Sequence, residues 1–448
     1  MVDRRPSVAY TFDQMSTSDE RVVAPLYLPR VVDLELDELF SGLPAISIVG
    51  PRAVGKTVTA SRRANTIYRL EDPRQHQILA ATPSRLVSGD RPILIDEWER
   101  IPESWDFVRR AVDADGSGGQ FLLTGSATPS ERPVHSGAGR IVRLRMRPMS
   151  LAERGLHAQT VSLAQLLSGK REPVAGRSAI SLEGYARELT RSGFPGFRSL
   201  TDRQVGARLD SYIDHVVEHD FADPGGYRVR NPGRLRDWLA AYAAATSTTA
   251  AFETIRDAAT ADRREKPARS TVEHYLEVLR RLWLIDPVPS WLPTRNRIRR
   301  LASPSKHQLA DPALAARLLD IGPDGLLAGR GTNHAFSGDG PMFGALFESQ
   351  VTLDVRTYAQ AAGARVAHLR TKGGEREIDL IVVGQAGRVL AVEVKLGELV
   401  NDRDVRHLHW LEAEIGRDLL DKVIVTTGTE AYRRGDGVAV VPAVLLGP

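Results

Sequence analysis

Two groups of residues in this 448-residue chain have the types and spacing that chemistry needs. The first is Gly50-Pro51-Arg52-Ala53-Val54-Gly55-Lys56-Thr57, which reads G-x-x-x-x-G-K-T and runs on into Val58. Gly50 and Gly55 permit backbone torsions that close successive N–H groups around phosphate oxygens. Lys56 supplies a positive charge near the β- and γ-phosphates, and the Thr57 hydroxyl suits Mg²⁺. Farther along, Ile93-Leu-Ile-Asp-Glu97 is an apolar run closed by two adjacent carboxylates. At the end of a buried strand, Asp96 would hold the metal, and Glu97 would polarise a water in line with the γ-phosphate. ATP and Mg²⁺ are therefore the expected cofactors.

The second group lies near the C-terminus. Arg376-Glu-Ile-Asp379-Leu-Ile-Val-Val383 and Val389-Leu-Ala-Val-Glu393-Val-Lys395-Leu396 flank a Gly-containing turn and predict a β-hairpin. Strand alternation sends Glu393 and Lys395 to one face, where Asp379 can meet them across the ladder. Glu348, on a preceding helical pattern, joins the set. Asp379 and Glu393 are expected to hold Mg²⁺, and Lys395 to position the attacking water. The arrangement resembles the metal-dependent nucleases of the restriction-endonuclease type. A strand face laced by a Glu–Lys pair would produce the same pattern, and such a domain can keep these residues for binding alone.

The elements that must position the first group follow from patterning. Ala45-Ile-Ser-Ile-Val49 predicts the strand before the glycine-rich loop, with Thr66 to Leu70, Arg91 to Asp96, Gln120 to Thr124 and Ile141 to Met146 as four more. Helical spacing between them predicts a parallel sheet with a ligand at the strands' carboxyl ends. Ser126, just after the fourth strand, is the candidate for sensing the γ-phosphate, with Thr124 second. A hydroxyl capping the next helix is the alternative.

Gly50 to Thr57, Ile93 to Glu97, Leu123-Thr-Gly-Ser126, Ala138-Gly-Arg140 and Arg147-Pro-Met-Ser-Leu-Ala-Glu153 together resemble the bacterial and archaeal AAA-type ATPases that carry a C-terminal domain of unknown function. The resemblance spans nearly the whole chain. It implies an α/β fold class: a P-loop NTPase parallel-sheet core, a helical middle region, read below as winged-helix-like from its own residues, and a C-terminal α/β domain similar to restriction endonucleases. It further implies that Arg140 stabilises charge on the transferring phosphoryl group, within the chain or from a neighbouring subunit of a homo-oligomer.

Between the two groups, Phe252 to Ala259, Ser270 to Leu282 and Trp283 to Val288 predict helix, turn, helix, then strand. That is the layout of a winged helix-turn-helix for DNA, and the alternative is a small helical module used as a lid or oligomer contact. Arg263, Arg264, Lys266 and the run Arg295-Asn-Arg-Ile-Arg-Arg-Leu301 add basic charge that suits a phosphate backbone. DNA or another nucleic acid is the expected partner beside ATP. The expected boundaries are a flexible arm at 1–25, an ATP-binding domain at 26–150, a linker at 151–200, the helical domain at 201–320 and the nuclease-like domain at 340–448.

Composition limits the rest. The chain has no cysteine, which removes disulfides, thiolate metal sites and a Cys nucleophile. Its formal net charge is +4, a weak basic excess that permits a polyanionic partner without requiring one. No apolar run reaches membrane-spanning length, so a cytoplasmic protein with no membrane partner is expected.

Overall fold

The computed structural model describes residues 27–125, 138–221, 232–260, 266–293, 304–328 and 342–448. The expected arm, Ser126, Arg263, Arg264 and the basic run at 295–301 lie outside these residues.

The chain opens with helix α1 (Val31–Gly42) and then builds a five-stranded sheet. Its strands are β1 (Ala45–Val49), β2 (Thr66–Arg69), β3 (Ile93–Asp96), β4 (Phe121–Gly125) and β5 (Ile141–Arg145). They stand in the order β2-β3-β4-β1-β5, and every pairing is parallel. Four of the five β1 residues are buried, as expected of a central parallel strand covered on both faces. Helix α2 (Lys56–Ser61) follows β1, and α3 (Pro73–Ala81) and α4 (Ser104–Ala114) fill the later connections. One face of the sheet buries Trp98, Trp105 and Val108, and the other buries Leu36, Phe40 and Val54. All five strands stand where the hydrophobic patterning predicts them.

A seven-stranded mixed sheet forms the second layer system. It uses β7 (Gly176–Arg177), β8 (Arg365–Arg370), β9 (Glu377–Val383), β10 (Val389–Lys395), β11 (Leu419–Thr426), β12 (Glu430–Arg433) and β13 (Ala439–Pro442). A separate parallel pair joins β6 (Val161–Ser162) to β14 (Leu446–Gly447). Residues 151–200, expected to be a linker, therefore belong to the body of the C-terminal region. They supply β6, α5 (Leu163–Leu167), β7 and α6 (Leu182–Thr190), and β7 pairs directly with β12. Strands two residues long carry no periodic signature, which is why patterning misses them.

The middle helices are α7 (Asp202–His215), α8 (Pro232–Ala244), α9 (Phe252–Ala258), α10 (Arg269–Arg281), α11 (Pro312–Leu318) and α12 (Pro323–Leu327). After α10 a short ribbon forms through antiparallel bridges Ile285↔Leu309 and Val288↔Lys306. Helix, helix and ribbon thus follow in the predicted order. These helices do not make a core of their own, however. Trp238, Tyr275 and Leu279 share one apolar cluster with α13 (Met342–Ala361) and with Val392, Val423 and Val425 of the seven-stranded sheet. The other face of that sheet is covered by α14 (Asp402–Ile415).

The two sheets meet through charge. Asp286, on the ribbon, is buried and faces three guanidinium groups. Arg145 lies 2.8 Å away and Arg147 3.1 Å away, both at the carboxyl end of β5, and Arg356 of α13 lies 2.7 Å away. Burial raises the Asp286 pKa, but Arg356, Arg145 and Arg147 outweigh it and hold the carboxyl well below the usual range. Gln360 extends the joint, donating to Glu35 Oε2 and to the Arg145 carbonyl, each at 2.9 Å. Removing Asp286 would leave buried guanidinium charge uncompensated. Asp286→Ala is therefore expected to cost about 3–5 kcal/mol in chemical denaturation. Arg140→Ala, at the exposed Arg140–Asp113 pair, should stay within about 1 kcal/mol.

Candidate functional site

At the carboxyl end of β1 the backbone turns through Gly50, whose φ is +155°. A Cβ there would lie 2.1 Å from the carbonyl oxygen of Met146, the residue after β5, so no side chain fits. Gly55, at φ +103°, begins α2. Between them Pro51, Arg52, Ala53 and Val54 form the loop, with Ala53 also at positive φ. Lys56 is buried, and its Nζ donates to the carbonyls of Gly50 (3.0 Å) and Pro51 (2.8 Å). Burial pushes its pKa down to about 8, against the pull of Glu97, Glu99 and Asp96.

The acidic partner comes from the adjacent strands. All four β3 residues are buried, and Asp96 ends the strand. Thr57 Oγ1 donates to Asp96 Oδ1 at 2.8 Å, across 39 positions of sequence. Thr124 of β4 donates to the same oxygen. These are hard oxygen donors of the type a small divalent cation takes. Glu97 follows in the left-handed region at φ +55°, which costs a residue with a side chain on the order of 1–3 kcal/mol and marks a position the surroundings over-determine. Gly50 to Val58, Asp96, Glu97 and Thr124 are thus brought to one end of the sheet.

Two further residues are placed differently or were not foreseen. Arg140 precedes β5, whose first residue pairs with Ala45 at the start of β1. It therefore stands at the end of the sheet opposite the loop, against Asp113. Within its own chain Arg140 does not join the site. Glu99 does approach it, because a Cβ on Gly125 would lie 2.3 Å from Glu99 Oε2. Its signal was a third acidic residue in Asp96-Glu97-Trp98-Glu99, passed over beside the adjacent pair.

A buried ion pair also shapes the loop from behind. Arg30 Nη1 donates to the Val54 carbonyl (2.8 Å) and Nη2 to the Arg147 carbonyl (2.6 Å), while Nε meets Glu153 Oε1 at 3.0 Å. Glu153 also accepts from the backbone of Val31 and Ser150, each at 2.7 Å. Glu153 closes the quoted Arg147 to Glu153 motif, but nothing local in the sequence pairs it with Arg30.

The C-terminal group assembles with one exchange of residues. Register Val392↔Leu380 sets Glu393 opposite Asp379. Asp379 Oδ2 accepts from the backbone N–H of Val394 at 2.9 Å. The cation among these carboxylates is Lys306, which the sequence did not flag. Its Nζ lies 2.8 Å from Glu348 Oε1, 2.9 Å from Asp379 Oδ1 and 3.5 Å from Glu377 Oε1. Lys395 instead pairs with Asp404 on α14 at 2.6 Å, away from this cluster. Burial pushes Glu348 up to about 8. Glu393 is raised well above the carboxylate range by burial and by the charge of Asp379. Burial raises the Asp379 pKa, but the charge of Lys306 together with hydrogen bonds from Glu393, the Val394 N–H and Lys306 brings it below the usual carboxylate range. Among the described residues no three Asp, Glu, His or Cys side chains converge as a metal-holding group. The expected Mg²⁺ site at Asp379 and Glu393 therefore does not fit this arrangement, since an ammonium stands among its ligands.

Comparison with known proteins bears on the first site. Residues 43–154 match the family described as an AAA domain. Over these residues the chain is similar to AAA domains. Residues 182–325 match a domain of unknown function (DUF8612), and residues 343–446 match another (DUF4143). The chain is 27% identical over 439 residues to the uncharacterized proteins Rv2008c of Mycobacterium tuberculosis and Mb2031c of Mycobacterium bovis, matching 96% of its own length and 87% of theirs. Among solved structures, the Walker-type ATPase PABY2304 of Pyrococcus abyssi aligns at 17% identity and TM-score 0.37, covering 64% of this chain and 94% of that one. A chain from the structure of Drosophila ORC bound to DNA aligns at 15% identity and TM-score 0.19, with coverage of 64% and 94%. No described helix is long and apolar enough to cross a membrane.

Two outcomes follow from the AAA-type loop. Gly50→Ala is expected to abolish measurable ATP binding in calorimetry while leaving the far-UV spectrum close to that of the parent. The pH dependence has a definite sign. With a pKa of about 8, roughly nine tenths of the Lys56 ammonium that phosphate binding needs is present at pH 7, half at pH 8 and roughly a tenth at pH 9. ATP affinity of the parent should therefore fall several-fold between pH 7.5 and 9, and Lys56→Ala should show no measurable binding at either pH.

Proposed function

We propose that this protein is a Mg²⁺-dependent ATPase whose turnover drives nucleic-acid binding or processing by its middle and C-terminal regions. The observation that carries the ATPase half is the Thr57–Asp96 hydrogen bond beside the Lys56 loop, with Glu97 next along the chain. In this reading the loop N–H groups from Gly50 to Val58 cradle the phosphates, and Lys56 swings from its own loop carbonyls to the β- and γ-phosphates. Thr57 and Asp96 hold Mg²⁺, which when bound neutralises phosphate charge. Glu97 orients and polarises the attacking water. Ser126 senses the γ-phosphate. Arg140 acts only from a neighbouring subunit, because its own P-loop is at the far end of the sheet.

The nucleic-acid half rests on the helix-turn-helix order of α9, α10 and the ribbon. A second reading makes the protein a nucleotide-controlled binding or regulatory module that cuts nothing. The lysine seated among Glu348, Glu377 and Asp379 favours it, since a metal-dependent nuclease needs those oxygens for a divalent cation.

The deciding experiment measures ATP hydrolysis with Mg²⁺, with and without DNA, for the parent, Lys56→Ala and Glu97→Gln, with the DNA followed on a gel. Glu97→Gln is expected to keep ATP binding and lose about 10²–10⁴-fold in turnover. Lys56→Ala should lose both, and DNA should stimulate the parent. Parent turnover unchanged in Glu97→Gln would overturn the assignment of that residue. A parent that binds ATP without hydrolysing it would overturn the ATPase itself.

A further inference from the structure

The carboxylate centre on the β9–β10 hairpin already contains a cation, and that cation comes from a different part of the chain. Lys306 is 2% exposed. It belongs to the ribbon, where Lys306 N donates to the Val288 carbonyl at 3.0 Å and Val288 N donates back at 2.9 Å. Backbone pairing on both sides fixes where its side chain enters the cluster. Glu348 arrives from α13, Glu377 and Asp379 from β9, and Glu393 from β10. Three elements thus meet the ribbon around one ammonium, which contacts Glu348, Glu377 and Asp379 directly.

Its placement excludes a competitor on electrostatic grounds. Two carboxylate oxygens at 2.8 and 2.9 Å are already committed to the ammonium. A divalent cation bound to the same oxygens would face a unit positive charge a few ångströms away in a medium that screens poorly. Removing the ammonium reverses the balance, because a buried group of carboxylates without a cation is costly and hard oxygen donors draw Mg²⁺ or Mn²⁺.

We propose that Lys306 is the resident cation of the Glu348–Asp379–Glu393 centre and that, while seated, it bars divalent metal from these carboxylates. The chain thereby supplies internally the charge that a nuclease of similar layout would take from solution. Metal exclusion of this kind is independent of the ATPase reading, and its test uses no nucleotide.

Mn²⁺ binding to the nucleotide-free full chain at pH 7.5, read from the free-ion paramagnetic signal, separates the cases. Lys306→Ala is expected to gain one Mn²⁺ per chain over the parent, with affinity higher by on the order of tenfold or more. Adding Asp379→Asn should remove that gain. Equal binding by parent and Lys306→Ala, or a gain that survives Asp379→Asn, would overturn the proposal. Thermal melts of the same samples cover the case in which Lys306→Ala fails to fold in chelator. Restoration of a cooperative melt by Mn²⁺ then supports the proposal. No restoration, together with no Mn²⁺ uptake by the charge-balanced Lys306→Met/Glu348→Gln variant, overturns it.

Discussion

Asp286 faces three guanidinium groups in a buried space, and the relation between the two sheets depends on that imbalance of charge. None of the three arginines can be left alone there, because an unpaired buried charge costs several kcal/mol. Arg145 and Arg147 sit at the carboxyl end of β5, whose neighbour β1 ends in the phosphate loop. Arg356 sits on α13, the same helix that carries Glu348. One carboxylate thus ties the phosphate-loop end of the first sheet to the helix that borders the carboxylate centre of the second. Asp286 itself rides on the ribbon that delivers Lys306, so the two charged centres share one short piece of backbone.

The nucleotide end is set by close approach as much as by chemistry. Gly50 has no room for a side chain because the Met146 carbonyl occupies it, and Arg30 grips both the loop and the Arg147 carbonyl. Met146 follows β5 directly, and Arg147 opens the motif that ends at Glu153. The loop and the strand end that holds Asp286 are therefore in direct contact. Charge pairs in such packed surroundings favour a small number of discrete arrangements over continuous deformation.

How much of this was legible in the sequence divides by range. The phosphate loop, the Asp96-Glu97 pair and the five strands are local patterns, each read within ten residues or so, and the structure places them as read. The β9–β10 hairpin is likewise local, and its alternation set Glu393 opposite Asp379. What the sequence hid was long-range pairing. Lys306 stands in a short polar stretch, Pro304-Ser-Lys-His307, and nothing local distinguishes it from a solvated lysine. Lys395 had the right spacing but found Asp404, one turn into α14, a nearer partner. Arg140 had the right motif context, yet the parallel register sends the start of a strand to the wrong end of the sheet. The supposed linker at 151–200 failed for another reason: its strands are too short to show a period and take their stability from β12 and β14.

Asp286 joins the phosphate-loop end of the first sheet to the ribbon through Arg145 and Arg147. Hydrogen exchange of the full-length protein, with and without ATP and Mg²⁺ in a hydrolysis-deficient background, tests it most directly. Nucleotide is expected to change amide protection in two places at once: at the loop around residues 50–58, and at the ribbon amides of 285–288 and 306–309. Changes confined to the loop and the ends of β3 and β4, with the ribbon untouched, would contradict it.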